Sequence, residues 1–145
     1  QPTDDELAQV MGHEISHALA AHTAEKMSMQ IATSVGVAAV GVATDSGAAL
    51  VGAAATAMLV VNLPNSRSAE KEADRIGIEL AARAGYDPKA AATLWQKMGE
   101  VSGSSTPQFL SSHPAPENRQ EKLGKLAVKM EQYYDPDAEH PVYEM

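Results

Sequence analysis

Apolar residues in this chain recur at helical spacing, not in strand-like alternation. Leu7, Val10, Met11, Ile15, Ala18 and Leu19 fall at steps of one, three and four, which is the period of one helix face. Ahead of them, Thr3-Asp4-Asp5-Glu6 has the form of a capping box, with Thr3 as N-cap and Glu6 three residues on. The pattern predicts a first helix from about Asp4 into the mid-twenties. Residues 31–62 are Ala, Val and Gly with almost no charge, and they break at Asp45-Ser46-Gly47. Neither half reaches the roughly 20 apolar residues of a membrane span. The expectation is two short buried helices joined by a turn. A flexible apolar flap over a cleft and a membrane hairpin with Asp45 near mid-depth are the other readings.

Punctuation residues mark the remaining elements. Leu63-Pro64-Asn65-Ser66 reads as a loop and helix start. The helix after it should run to about Ala84 and stop at Gly85 as a C′ glycine. Asp87-Pro88 opens the next helix, with Asp as N-cap and Pro in the first turn, and that helix should end near Gly99 to Gly103. Ser102-Gly103-Ser104-Ser105-Thr106-Pro107 is a polar loop. Pro114 and Pro116 precede a last helix over roughly 116–133, and an acidic, Pro-containing, extended tail follows from Asp135. No β-hairpin and no internal repeat is legible, so the fold class is mainly α.

Composition narrows this further. The chain has 145 residues, enough for one domain with a core. Its residues are 44% hydrophobic but only 4% aromatic, so much of the apolar content is small and suits closely packed helices. A formal net charge of −8 argues against a nucleic-acid partner, which would need clustered Lys and Arg. With no Cys, disulfides, thiolate metal sites and Cys nucleophiles are excluded. The chain begins at Gln1 and has no basic n-region followed by an apolar h-region, so the expectation is a processed form or a fragment of a longer protein.

The chemistry concentrates in His13-Glu14-Ile15-Ser16-His17. On a helix, His13 and His17 lie one turn apart on one face, so their imidazoles can converge on one cation. Zinc accepts neutral imidazole nitrogen and prefers tetrahedral geometry. Glu14 stands beside the first ligand, where it can take a proton from an activated water and pass it to the leaving amine. A catalytic zinc site needs a third protein ligand. His22 points about 140° away from His17 if the helix continues at about 100° per residue, which reads as a surface or packing His. The metzincin pattern fails as well, because Thr23 stands where its third His should be. Glu70 is the better candidate, and Asp74 lies one turn on, able to orient a ligating His through its other nitrogen. A charged solvent face is the rival reading of Glu70 and Asp74, since Glu72, Arg75 and Glu79 lie nearby.

In their order along the chain, HEISHALAAH, SRSAEKEADRIG, AGYDP and SSHPAPENR resemble metallopeptidase family forty-eight. That family includes the CAAX prenyl endopeptidases and the HtpX-like heat-shock peptidases, and the likeness is to its soluble bacterial envelope branch. The resemblance covers most of residues 5 to 125. It implies a gluzincin-type helical core with one Zn²⁺ per chain on His13, His17 and Glu70, with Glu70 chosen over Glu72. It implies Glu14 as the catalytic carboxylate and Asp74 as the support of His13. His113 matches the family's His in its Ser-His-Pro segment. It would donate to the oxyanion, or occupy the open metal position and hold the enzyme inactive, or serve the loop alone. Arg119, at the family's Arg position, would be an oxyanion or substrate-carbonyl donor, a salt-bridge partner of Glu70 or Asp74, or a surface helix Arg.

The resemblance also sets expectations for the whole protein. Residues 1–134 would form a peptidase domain and 135–145 a tail. The family's cleft-edge strand would lie ahead of Gln1, leaving residues 1–145 weakly active alone. Substrates would be unfolded or misassembled polypeptides in cell-envelope quality control, with outer-membrane proteins or assembly machinery as partners and no nucleic acid. The location would be the bacterial periplasm, with membrane anchoring only through a segment ahead of Gln1. The rival function is a zinc-containing, chaperone-like binding module with a capped or inactive site.

Overall fold

A computed structural model describes residues 1–101 and 118–137. Six α-helices account for most of them: α1 (Asp4–Leu19), α2 (His22–Thr44), α3 (Gly47–Ala57), α4 (Leu63–Arg83), α5 (Ala90–Val101) and α6 (Arg119–Met130). A π-helical segment, Met58–Asn62, joins α3 to α4, and a 3-10 turn, Glu131–Tyr133, follows α6. No strand occurs among the described residues, in keeping with a mainly α class. The chain divides into two compact units, one of Gln1–Ser16 with Glu70 onward, the other of His17–Ala69.

In the first unit, the capping box forms as the sequence predicts. The Glu6 amide donates to Thr3 Oγ1 at 3.2 Å, and the Thr3 amide donates back to Glu6 Oε2 at 2.9 Å. The buried Glu6 carboxylate also accepts from Lys97 Nζ at 2.8 Å and from Thr93 Oγ1 at 3.0 Å, which ties α1 to α5. Burial by itself would raise the Glu6 pKa, but these partners outweigh it and hold the group below its ordinary value. Helix α4 stops as predicted. Gly85 has φ 87°, its amide bonds Ala82 O, and the Tyr86 amide bonds Ala81 O, which is a Schellman ending. Asp87 then caps the next turn, accepting from the Lys89 amide at 2.8 Å. Ile78, Ala82, Ala91, Leu123 and Met130 make the core of α4, α5 and α6, flanked by Trp95 and Leu126.

The crossing of α1 and α4 depends on two glycines. A Cβ on Gly12 would stand 2.5 Å from the Gly77 carbonyl oxygen, and one on Gly77 would stand 2.7 Å from the His13 amide nitrogen. The two backbones therefore touch, and any side chain would push them apart. Gly77→Ala is expected to lower the unfolding free energy by about 1–3 kcal/mol through overpacking. Gly124→Ala, where a Cβ meets nothing within 4 Å, is expected to be neutral or to stabilise by up to about 1 kcal/mol. Urea titrations of both variants read the contrast.

Four expectations are corrected. The first helix does not reach the mid-twenties: it ends at Leu19, and Ala21 adopts the left-handed conformation at φ 55° before α2 begins at His22. The apolar stretch is not two short buried helices. Helix α2 has 23 residues, long enough to cross a membrane by length and composition, and none of its most apolar window is buried. Met27, Ile31, Val35, Val42, Val51, Leu59 and Val60 are all exposed. Asp45 is not mid-way along a span but at the turn after α2, with φ 46°, and Ser46 caps α3 by accepting from the Ala49 amide at 3.3 Å. Lastly, residues 63–66 are helical, not a loop. Pro64 has no amide proton to give the preceding turn. The π segment lies just ahead of it, with the Leu63 amide bonding Met58 O, so the helix absorbs the proline by widening.

Candidate metal centre

Helix α1 carries His13 and His17 one turn apart and runs unbroken through both. Helix α4 carries Glu70 and Asp74 one turn apart. The Gly12–Gly77 contact brings the His13 backbone against α4, and the side chains meet there. His13 Nδ1 lies 3.1 Å from Asp74 Oδ1, and His13 Nε2 lies 3.4 Å from Glu70 Oε2. His13 and Glu70 are both buried. One ligand atom from each of His13, His17 and Glu70 lies within 4.8 Å of the others.

These contacts have a simple electrostatic consequence. A carboxylate oxygen only accepts, so His13 Nδ1 donates its proton to Asp74. A neutral imidazole then turns the Nε2 lone pair toward a carboxylate oxygen, an arrangement that calls for a cation between them. Burial would lower the His13 pKa, but the hydrogen bonds to Asp74 and then Glu70 outweigh it and hold the group raised. The His13 Nε2–Glu70 Oε2 separation also fits a divalent metal. Bonds of about 2.0–2.2 Å at tetrahedral angles separate two zinc ligands by about 3.4 Å. Two imidazoles and one carboxylate are also a donor set that zinc accepts.

Arg119 closes the network from α6. Its Nη1 donates to Glu70 Oε2 at 3.2 Å and its Nη2 to Asp74 Oδ1 at 2.6 Å. The guanidinium lies 4.1 Å above the Trp95 ring and the residue is 4% exposed. Of the readings offered for Arg119, the salt-bridge partner is the one this geometry matches, and the surface-helix reading is overturned. The charged-solvent-face reading of Glu70 is overturned by the same burial. Glu72, the rejected neighbour, is exposed. Glu14 lies on the exposed side of α1 beside His13. His113 lies outside the described residues.

His22 is corrected. A separation of about 140° from His17 holds only on an unbroken helix, and the left-handed Ala21 turns the chain back. His22 Nδ1 lies 2.9 Å from His17 Nδ1, with the ring centroids 4.9 Å apart and edge-on. Gly12 and Gly77 were also missed as site-forming residues. The available signal was a glycine directly before His13 and another on the Glu70 helix.

Comparison with known proteins points the same way. Residues 1–127 match peptidase family M48. The chain is 37% identical over 136 residues to the mitochondrial metalloendopeptidase OMA1 of Arabidopsis thaliana, covering 89% of this chain and 26% of that protein. It is 37% identical over 128 residues to the beta-barrel assembly-enhancing protease of Escherichia coli, covering 80% of this chain and 26% of that protein. The putative beta-barrel assembly-enhancing protease of Vibrio cholerae is 34% identical over 127 residues, again with 26% of its length covered. This chain thus spans about a quarter of the length of these relatives. No solved structure matches. With the family match running across both helices that bear the His and Glu side chains, the chain belongs to peptidase family M48.

Proposed function

We propose that the chain is the metal-bearing part of a zinc-dependent endopeptidase, with His13, His17 and Glu70 as ligands. The observation that carries this is the His13 Nε2–Glu70 Oε2 gap of 3.4 Å, which two electron-rich atoms keep around a cation. Zinc held there supplies Lewis-acid polarisation of the scissile carbonyl and a nucleophilic water at neutral pH. Asp74 holds His13 in the tautomer that presents Nε2, and Arg119 holds both carboxylates in place. Glu14 takes the proton of the attacking water and gives it to the departing amine. Its place on the exposed side of α1, beside His13, supports that role. Substrates are unfolded or misassembled polypeptides of a bacterial envelope. The support for that part is the beta-barrel assembly-enhancing relatives, set against mitochondrial relatives of similar identity.

The test compares casein cleavage by the zinc-loaded wild type and by Glu14→Gln. Equal inertness with zinc bound would sink the enzyme reading in favour of the binding module with a capped site.

A specific observation favours a membrane-attached form. Helix α2 spans about 34 Å at 1.5 Å per residue, against a hydrocarbon core of about 30 Å. Its apolar window is unburied, and the stretch from Met27 to Thr44 carries no charge. The charge-free stretch is about 27 Å long, with Glu25 and Lys26 at one end and Asp45 at the other. The protein is expected to float with phospholipid vesicles in a density gradient, and Val35→Lys with Leu59→Lys to remain at the bottom. Wild-type protein recovered entirely from the bottom fraction would exclude this form.

A further inference from the structure

We propose that His22 is a positioning residue for His17, fixing the tautomer and the ring orientation that present His17 Nε2 to the metal. The inference rests on the zinc reading above and adds a residue to it. His22 is 7% exposed, opens α2, and is delivered to His17 by the left-handed Ala21. The two Nδ1 atoms stand 2.9 Å apart. A hydrogen bond between two imidazole nitrogens needs a proton on one and a lone pair on the other. There are two solutions for neutral rings. If His17 Nδ1 donates, its Nε2 carries the lone pair a metal needs, and His22 carries its own proton on Nε2. If His22 Nδ1 donates, His17 carries its proton on Nε2 and that nitrogen cannot bind a metal. Metal on His17 Nε2 therefore selects the first solution, and a His22 ring held ready to accept favours the metal in return.

The pair then mirrors the arrangement at His13, where Asp74 accepts from Nδ1. The two ligands differ in the charge behind them. His13 is backed by a carboxylate and His17 by a second imidazole. A neutral acceptor leaves the centre one unit more positive than a second carboxylate would, which favours polarising a carbonyl and ionising a water. The edge-on ring contact, with an interplanar angle of 72°, also resists rotation of His17 about its Cβ–Cγ bond.

Imidazole ¹⁵N–¹H correlation spectra of the unmutated, zinc-loaded protein test this directly. The expected result is a proton on His17 Nδ1 and on His22 Nε2; protons on His17 Nε2 or His22 Nδ1 would overturn it. Zinc affinity by chelator competition gives the second readout. His22→Phe keeps a ring and removes the acceptor, and should weaken zinc binding about 10–100-fold. His22→Gln restores an acceptor and should recover most of the loss. Wild-type affinity in His22→Phe, or equal loss in both variants, would reject the positioning role. Failure of the zinc reading looks different: the unmutated protein would bind no zinc, or would bind it equally well as Glu70→Ala.

Discussion

Glu14→Gln is expected to lower kcat on an unfolded protein substrate by about 10²–10⁴-fold, the usual worth of a positioned general base, while one zinc per chain is retained. Glu14 is on the exposed side of α1, whereas His13 on the same turn is buried against Glu70 and Asp74. Exchange of a carboxylate for an amide there leaves the glycine crossing, the His13 hydrogen bond and the Arg119 pairs untouched. A variant that loses metal together with activity would assign Glu14 a ligand or folding role. One that keeps both metal and full activity would remove it from the proposed chemistry. Steady-state cleavage of a quenched peptide together with metal analysis of the same sample separates these results.

Parts of this arrangement are legible in one sequence because they are local. Thr3 and Glu6 are three residues apart and cap their own helix, Gly85 ends a helix through its own φ, and His13 and His17 share one helix face. The parts that the sequence leaves open or misplaces depend on distant residues or on conformations their residue types do not announce. Ala21 is neither Gly nor Asn, yet it adopts φ 55°, so the end of α1 and the return of His22 had no sequence signal. Glu70 and Arg119 are 49 residues apart, and only the folded chain shows that both are buried. Hydropathy showed that residues 31–62 are apolar, but it does not distinguish side chains covered by protein from side chains left outward, as Val35 and Leu59 are. His113 was singled out by resemblance and lies outside the described residues.

Arg119→Met should cost about 3–5 kcal/mol of unfolding free energy in the metal-free protein, the usual result of removing one partner from a buried ion pair. Glu70 and Asp74 both lean on this guanidinium, at 3.2 Å and 2.6 Å, and little solvent reaches either carboxylate. Removing it leaves two negative charges facing one imidazole. The His13 pKa should then rise further, because Arg119 is among the groups that lower it. Zinc changes the balance. A divalent cation between His13, His17 and Glu70 restores positive charge next to the same carboxylates, so saturating zinc should recover a substantial part of the loss. The increment should exceed the zinc-induced stabilisation of the wild type, since the metal would then replace an ion-pair partner as well as bind. Urea unfolding of both proteins, each with zinc and with chelator, gives the four free energies of this cycle. An additive cycle, with zinc stabilising both proteins equally, would mean that Arg119 and the metal do not share the Glu70 charge, and the proposed centre would have to be moved away from it.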